Sequence, residues 1–270
     1  MKVIARIRTP FAEKFGVPRQ SSLAPHTRGV VVFEPEFRRA EALRGLEGFD
    51  WIWLIWEFSE NGSSCRESQS CAGGASCAEA GGAADSASGT SGATGAAMTW
   101  QATVRPPRLG GNKRMGVFAT RSTFRPNPIG LSSVRLLRVI EQSPDGPLLE
   151  VAGADLVDGT PIYDIKPYIP YSDSHPDADC GWLKEVKEKK LRVVWPEEAE
   201  ASAGGAQNAG AEAPSEDIRE QIEEILSLDP RPSYQSDNEK LYGLSYGGWN
   251  IRFRVDDDAA EVFVTQFSKS

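Results

Sequence analysis

Short runs of β-branched, aliphatic and aromatic residues recur along this chain, and they constrain its fold more than any other feature. They are VIARI (3–7), GVVVF (29–33), WIWLIWEF (51–58), GVFAT (116–120), SVRLLRVI (133–140), LLEVAGA (148–154) and LRVVW (191–195). Gly, Pro, Asn and Asp punctuate them. Each run is therefore the length of a strand, and the turns between them are short. Such a series predicts an all-β core, a small barrel or sandwich. A short helix is expected over 37–45 (FRRAEALRG).

Two segments break the series. Residues 61–97 hold no apolar side chain larger than Ala apart from Cys, and 196–215 has the same character. Neither can bury enough area to offset its ordering entropy. The first reads as an insertion in a loop, the second as a linker. Beyond the linker, SEDIREQIEEILSLDP opens on a serine cap and an acidic first turn. Ile218, Ile222, Ile225 and Leu226 follow at helical spacing, and Pro230 comes after the end. WNIRFRV and EVFVTQF then form a hairpin around DDDAA. The expected organisation is a β-barrel domain over 1–195, a linker over 196–215 and a small α+β domain over 216–270.

Charge divides the chain further. The net charge of -8 is made of about +7 in residues 1–140 and about -15 in 141–270. From Val104 to Ile140 there are eight Lys and Arg residues and no Asp or Glu. A basic field inside an acidic protein suits an anionic partner. No run of about 18 apolar residues occurs. The start, MKVIARIRTPFAEKFG, lacks the apolar centre of a signal peptide, so a cytoplasmic protein is expected. Cys65, Cys71 and Cys77 are six apart, Cys180 stands alone, and the only histidines are His26 and His175. That spacing does not suit zinc, and no metal site is expected.

Three loop-like stretches concentrate the chemistry: KFGVPRQSSL (14–23), VRPPRLGGNKRMGVFATRSTFRPNPIG (104–130) and DLVDGTPIYDIKPYIPYSDS (155–174). Pro stiffens them and Gly permits close backbone approach, so they describe preorganised binding surfaces. In the second, Arg121 and Arg125 have no acidic neighbour in sequence. In the third, Asp164, Lys166, Tyr168 and Tyr171 follow the turn Asp158-Gly159-Thr160-Pro161, a mixture suited to base stacking and phosphate contact. GxxxxGK[ST] and GxGxxG motifs are absent. Neither a triphosphatase loop nor a Rossmann cofactor site is signalled.

Together these stretches resemble the signature blocks of the S-adenosylmethionine-dependent tRNA (adenine-N6)-methyltransferases. Those enzymes act on N6-threonylcarbamoyladenosine at position 37, next to the anticodon. The resemblance covers about 1–60 and 100–180, and LSLDPRPSY (226–234) is similar to the C-terminal domain of bacterial members. It implies a small closed β-barrel in place of a Rossmann methyltransferase, S-adenosylmethionine as methyl donor, tRNA as acceptor and a homodimer. By position it implies donor contacts at Pro18, Arg19 and Gln20, at Arg121 or Arg125, and at Leu156, Asp158, Gly159, Thr160 and Pro161. Arg can hold the donor's carboxylate in a bidentate pair, and Asp158 suits its ribose hydroxyls. Asp158, Asp164 and Tyr168 are the candidates for assisting loss of the N6 proton. Arg105, Arg108, Lys113, Arg114 and Lys166 are the candidates for tRNA phosphates.

The chain departs from the family pattern at two places. Phe49-Asp50 precedes the tryptophan strand where FSH is usual. Ser59-Glu60 follows it where the family carries a histidine near the donor. The competing readings are a non-catalytic RNA-binding barrel and a methyltransferase of the same fold with another substrate.

Overall fold

The computed structural model describes residues 1–58, 100–109, 113–186, 189–195, 214–231 and 237–270. The expected insertion over 61–97 lies outside the described residues, as does nearly all of the linker. Twelve strands occur among those described: β1 (Ala5–Arg8), β2 (Arg28–Phe33), β3 (Trp51–Glu57), β4 (Thr103–Val104), β5 (Met115–Gly116), β6 (Ile129–Ile140), β7 (Leu148–Ala152), β8 (Pro161–Pro167), β9 (Arg192–Val194), β10 (Tyr242–Tyr246), β11 (Trp249–Asp256) and β12 (Glu261–Lys269). Two α-helices accompany them, α1 (Pro170–Asp173) and α2 (Glu216–Ser227).

Six strands close into an antiparallel barrel in the order β1-β2-β7-β6-β3-β8. Period-two alternation decides what lies inside it. From β3, Ile52, Leu54 and Trp56 enter the core, while Trp51, Trp53 and Ile55 face outward. Ile7, Val31, Val134, Leu149, Val151 and Ile162 supply the rest of the interior from the other five strands. No edge is left in the barrel, so every strand finds two partners.

The strand that closes it, β8, lies within the stretch read from sequence as a loop. It pairs with β1 through Ala5↔Ile162 and with β3 through Ile52↔Pro167. The two prolines stand at its ends, where a missing N–H costs the ladder least. They and two charged residues obscured its alternation. GVFAT, read as a strand, is corrected the other way. Only Met115–Gly116 pairs, with Thr103–Val104, and Val117–Ala119 turns as a 3₁₀-helix. The helix expected over 37–45 is instead a series of 3₁₀ turns at Pro35–Phe37, Ala40–Leu43 and Leu46–Gly48.

A second sheet, β10-β11-β12-β9, forms the C-terminal unit. The strand read at 191–195 belongs here: β9 runs parallel to β12 through Val193↔Val262. Helix α2 buries Ile222, Ile225 and Leu226 against this sheet. Ser215 sits at its N-cap, but its side chain makes no capping hydrogen bond. No helix among the described residues is long and apolar enough to cross a membrane.

The segment 10–27 joins the two units. Phe11 and Ala24, from the barrel's own chain, are buried in the core of the second unit. Phe11 meets Tyr246 edge-on at 5.1 Å, and Gly247 N donates to Pro10 O at 3.0 Å. Burying one such phenylalanine contributes about 2–3 kcal/mol. Gly16 holds φ at +90°, and a Cβ there would lie 2.2 Å from Leu244 Cδ1.

Candidate functional site

A cavity of about 1030 Å³ opens at one end of the barrel. Segment 17–20 forms one wall, 120–125 a second and 155–157 a third. Its floor is Trp56 on β3 and Gly130 on β6. The floor depends on the glycine: a Cβ at Gly130 would meet the Trp56 ring at 2.2 Å, so the indole lies directly on the neighbouring backbone. Trp182 closes one side and donates to Ala119 O at 2.8 Å. The volume is at the upper end of the usual range for a small-molecule site, about 300–1,000 Å³.

Of the residues singled out in the sequence, the fold brings Pro18, Arg19, Gln20, Arg121, Arg125, Leu156 and Thr160 to this cavity, with Arg105 and Arg114. The two arginines without sequence partners find them in the tertiary structure. Arg121 donates through Nη1 to Gln20 Oε1 on the facing wall. Arg125 Nη1 donates to Thr120 O at 2.7 Å and Val117 O at 3.1 Å, and its guanidinium stacks over Phe118. Arg125 thus fastens its own loop. Arg19 Nη2 reaches the other unit, donating to Arg231 O at 3.2 Å.

Other residues in the sequence reading do not line this chain's cavity. Asp158 is exposed in the turn before β8, where its Oδ1 accepts from Thr9 N at 2.9 Å. Gly159, with φ at +74°, donates to Ile7 O and accepts from Arg6. Pro161 begins β8. The proton-acceptor role expected of Asp164 or Tyr168 has no support here. Asp164 pairs with Lys166 at 3.0 Å, and Tyr168 packs on Trp53 at 5.5 Å. Asp164 lies at the middle of β8 and Tyr168 just past its end, and neither lines the cavity. Lys113 and Lys166, expected at phosphates, are likewise outside the cavity; Lys113 stands 3.9 Å from Glu185. Ser59 and Glu60, and the side chain of Arg108, lie outside the described residues.

The cavity also holds a carboxylate that the sequence reading passed over. Asp155 Oδ1 accepts from Ser132 Oγ at 2.5 Å, and Ser132 Oγ accepts from Trp56 Nε1 at 2.9 Å. Burial pushes the Asp155 carboxyl above the usual carboxylate range. The Ser132 hydrogen bond and the Arg121 charge oppose that rise without cancelling it. Strand alternation gives no signal for Asp155: β7 ends at Ala152, Gly153 turns with φ at +73°, and its neighbours Ala154 and Leu156 are the residues that join the barrel core.

These groups suit a ligand that carries opposite charges and a flat ring. Arg121 offers a bidentate fork for a carboxylate. Asp155 offers a negative charge. Trp56, Phe58, Phe124 and Leu156 offer apolar surface. S-adenosylmethionine has each of these features, and the residues present fit it.

Comparisons with known proteins agree. A family model of the tRNA-methyltransferase O N-terminal domain matches residues 6–77 and 90–174, interrupted within the expected insertion. A model of the TrmO C-terminal domain matches 188–267. The tRNA (adenine(37)-N6)-methyltransferase of Escherichia coli (strain K12) is 38% identical over 265 residues, spanning 97% of this chain and 96% of that protein. A putative S-adenosylmethionine-dependent methyltransferase, RcsF, of Pseudomonas aeruginosa is 37% identical over 242 residues, spanning 89% of this chain and 86% of that protein. A crystal structure of TrmO from Pseudomonas aeruginosa superposes with a TM-score of 0.62 at 28% identity, covering 99% of this chain and 98% of that one. Sequence, barrel topology and cavity thus converge, and the chain belongs to the tRNA-methyltransferase O family.

Proposed function

We propose that this protein methylates N6 of adenosine 37 in tRNA, with S-adenosylmethionine as donor and the threonylcarbamoyl-modified base as acceptor. The observation that carries the reading is the cavity in which the Arg121–Gln20 pair and the Asp155 carboxylate come together. The bound donor supplies an electrophilic methyl group on a sulfonium.

The chain's residues supply position and field. Arg121, steadied by Gln20, holds the donor's carboxylate end. Trp56, Phe58 and Leu156 exclude water around the reacting centre, where each fixed charge counts for more. Holding both reactants in one geometry contributes about 7–11 kcal/mol in favourable cases. Arg105 and Arg114, on the cavity wall, meet tRNA phosphates and set its register.

The functional unit is a homodimer in the cytoplasm, where tRNA is modified. Support for the dimer comes from apolar side chains left exposed around the mouth: Phe118 at 73%, Leu131 at 53% and Phe124 at 44%. Such a patch marks an interaction surface in a protein of this size.

Calorimetric titration with S-adenosylmethionine, with the dimer verified by light scattering, tests the donor site; micromolar binding is expected. Methyl transfer to tRNA with and without the threonylcarbamoyl group then tests the acceptor. Transfer to unmodified tRNA at an equal rate would overturn the acceptor assignment alone. Absence of donor binding, both alone and with tRNA, would overturn the whole reading in favour of an RNA-binding barrel.

A further inference from the structure

The structure assigns Asp155 as the proton acceptor of the reaction, with Ser132 and Trp56 as positioning residues that choose which of its oxygens takes the proton. This rests on the methyltransferase reading above.

The direction of the hydrogen bonds is decided by chemistry. An indole N–H only donates, so Trp56 Nε1 must give its proton to Ser132 Oγ, 2.9 Å away. Ser132 is 1% exposed and has one hydroxyl proton. With a lone pair committed to Trp56, that proton goes to Asp155 Oδ1, 2.5 Å away. While Ser132 donates to it, Oδ1 is an acceptor, and a proton taken up by Asp155 then resides on Oδ2.

The packing makes this chain rigid. The Trp56 indole lies against Gly130, where not even a methyl group fits, and Phe58 meets it edge-on at 4.3 Å. On these two sides the indole is held in place. Ser132 sits on β6 and Trp56 on β3, paired strands whose register sets Trp56 opposite Gly130. Asp155 then projects from the loop after β7 onto the same floor. The charged group that faces it is Arg121, and the Ser21 backbone N–H also bonds it.

N6 in a urea-like group is a weak nucleophile, because its lone pair is delocalised. It gains by losing its proton as the new bond forms. The proton passes from N6 to Asp155 Oδ2. The electron pair of N6 forms the bond to the methyl carbon, and the pair of the breaking carbon–sulfur bond stays on sulfur. The products are the N-methylated base, a neutral thioether and a protonated Asp155, which returns its proton to water when the site opens. A buried carboxylate is a stronger base than an exposed one, which suits it to this task.

The test uses the full-length protein in two measurements. In the ligand-free protein, carbon-13 NMR of labelled Asp carboxyls, with Asp155→Asn identifying the resonance, should show Asp155 protonating above the ordinary value of about 3.9. Ser132→Ala removes a bond that favours the charged form, so it should move that titration to higher pH. In single-turnover methylation at saturating donor, Asp155→Asn should slow transfer by about 10²–10⁴-fold, whatever it does to the donor Kd. The acid limb of the wild-type rate profile should move upward in Ser132→Ala by the same interval as the NMR titration. A loss confined to donor affinity, with the transfer rate kept at saturation, would overturn the proposal, because Asp155 would then hold the donor's positive charge. An acid limb that does not follow the Ser132→Ala titration would also overturn it. If Asp155→Asn does not fold, the Ser132→Ala comparison decides. Should the wild-type protein bind no donor at all, the methyltransferase reading itself has failed, and calorimetry shows this independently.

Discussion

His26, in the segment that carries Pro18, Arg19 and Gln20, is bonded to Glu224 on α2. Its Nδ1 lies 2.5 Å from Glu224 Oε1, and its backbone N donates to Oε2 at 3.0 Å. That wall of the cavity is therefore tied to the C-terminal unit. Phe11 and the Arg19–Arg231 contact tie it there as well.

The His26 pair makes that tie sensitive to pH. The Glu224 hydrogen bond and charge raise the His26 pKa above 6.5. A raised folded-state value means the stabilisation is fully present below the unfolded value of 6.5. It is lost as pH rises through the folded value. Thermal melts should show His26→Gln lowering Tm at pH 6 by more than it does at pH 9. An equal loss at both would show that the charge on His26 contributes nothing.

Gly130→Ala should damage both stability and activity. The added Cβ meets the Trp56 ring at 2.2 Å, and Trp56 cannot turn without abandoning Ser132. Overpacking of this kind costs about 1–3 kcal/mol. Urea denaturation should show the loss, and single-turnover methylation should fall with it. An unchanged midpoint would mean that the floor of the cavity gives way easily.

Arg231 is the buried cation of the second unit, with its side chain 2% exposed. It binds Asp229 at 2.8 Å and Asp257 at 2.8 Å, and it lies over the Tyr242 ring. Removing one partner of a buried pair leaves the others uncompensated, at a cost of about 3–5 kcal/mol. The aspartates here are partly exposed, which points to the lower end. Arg231→Met should lower stability by about 3 kcal/mol in chemical denaturation. It should also weaken donor binding, because Arg19 donates to the Arg231 and Asp229 carbonyls.

Arg125→Ala and Arg138→Ala should differ sharply in activity. Arg125 holds two carbonyls of the cavity wall, whereas Arg138 pairs with Glu150 on the barrel's outer surface. Losing Arg125 should reduce donor affinity or turnover by about tenfold or more, the scale on which misplaced site geometry acts. Arg138→Ala should change either by less than about twofold, as for an exposed pair. Equal effects would show that Arg125 has no part in shaping the site.

Much of the fold was legible from local pattern. Alternating apolar runs gave most of the barrel strands, and helical spacing with an acidic first turn gave α2. Pro- and Gly-rich stretches marked the loops that meet at the cavity. Local pattern failed where residues satisfy two demands at once. Prolines and charges hid β8, the strand that closes the barrel. An apolar run at 116–120 suggested a strand where only Gly116 pairs.

The partners of the site's side chains were beyond local pattern. Composition around Arg121 and Arg125 marked them as ligand-binding, but only the closed barrel sets Gln20 against Arg121 across 101 residues of chain. Asp158, Asp164 and Tyr168 stood out by their neighbours in sequence. Asp155 did not, and it joins the cavity floor because β3, β6 and the loop after β7 converge around it and partly shield it from water. Periodicity records which face of a strand a residue occupies. Whether a carboxylate there is buried, bonded or exposed depends on strands distant in sequence, and only their pairing decides it.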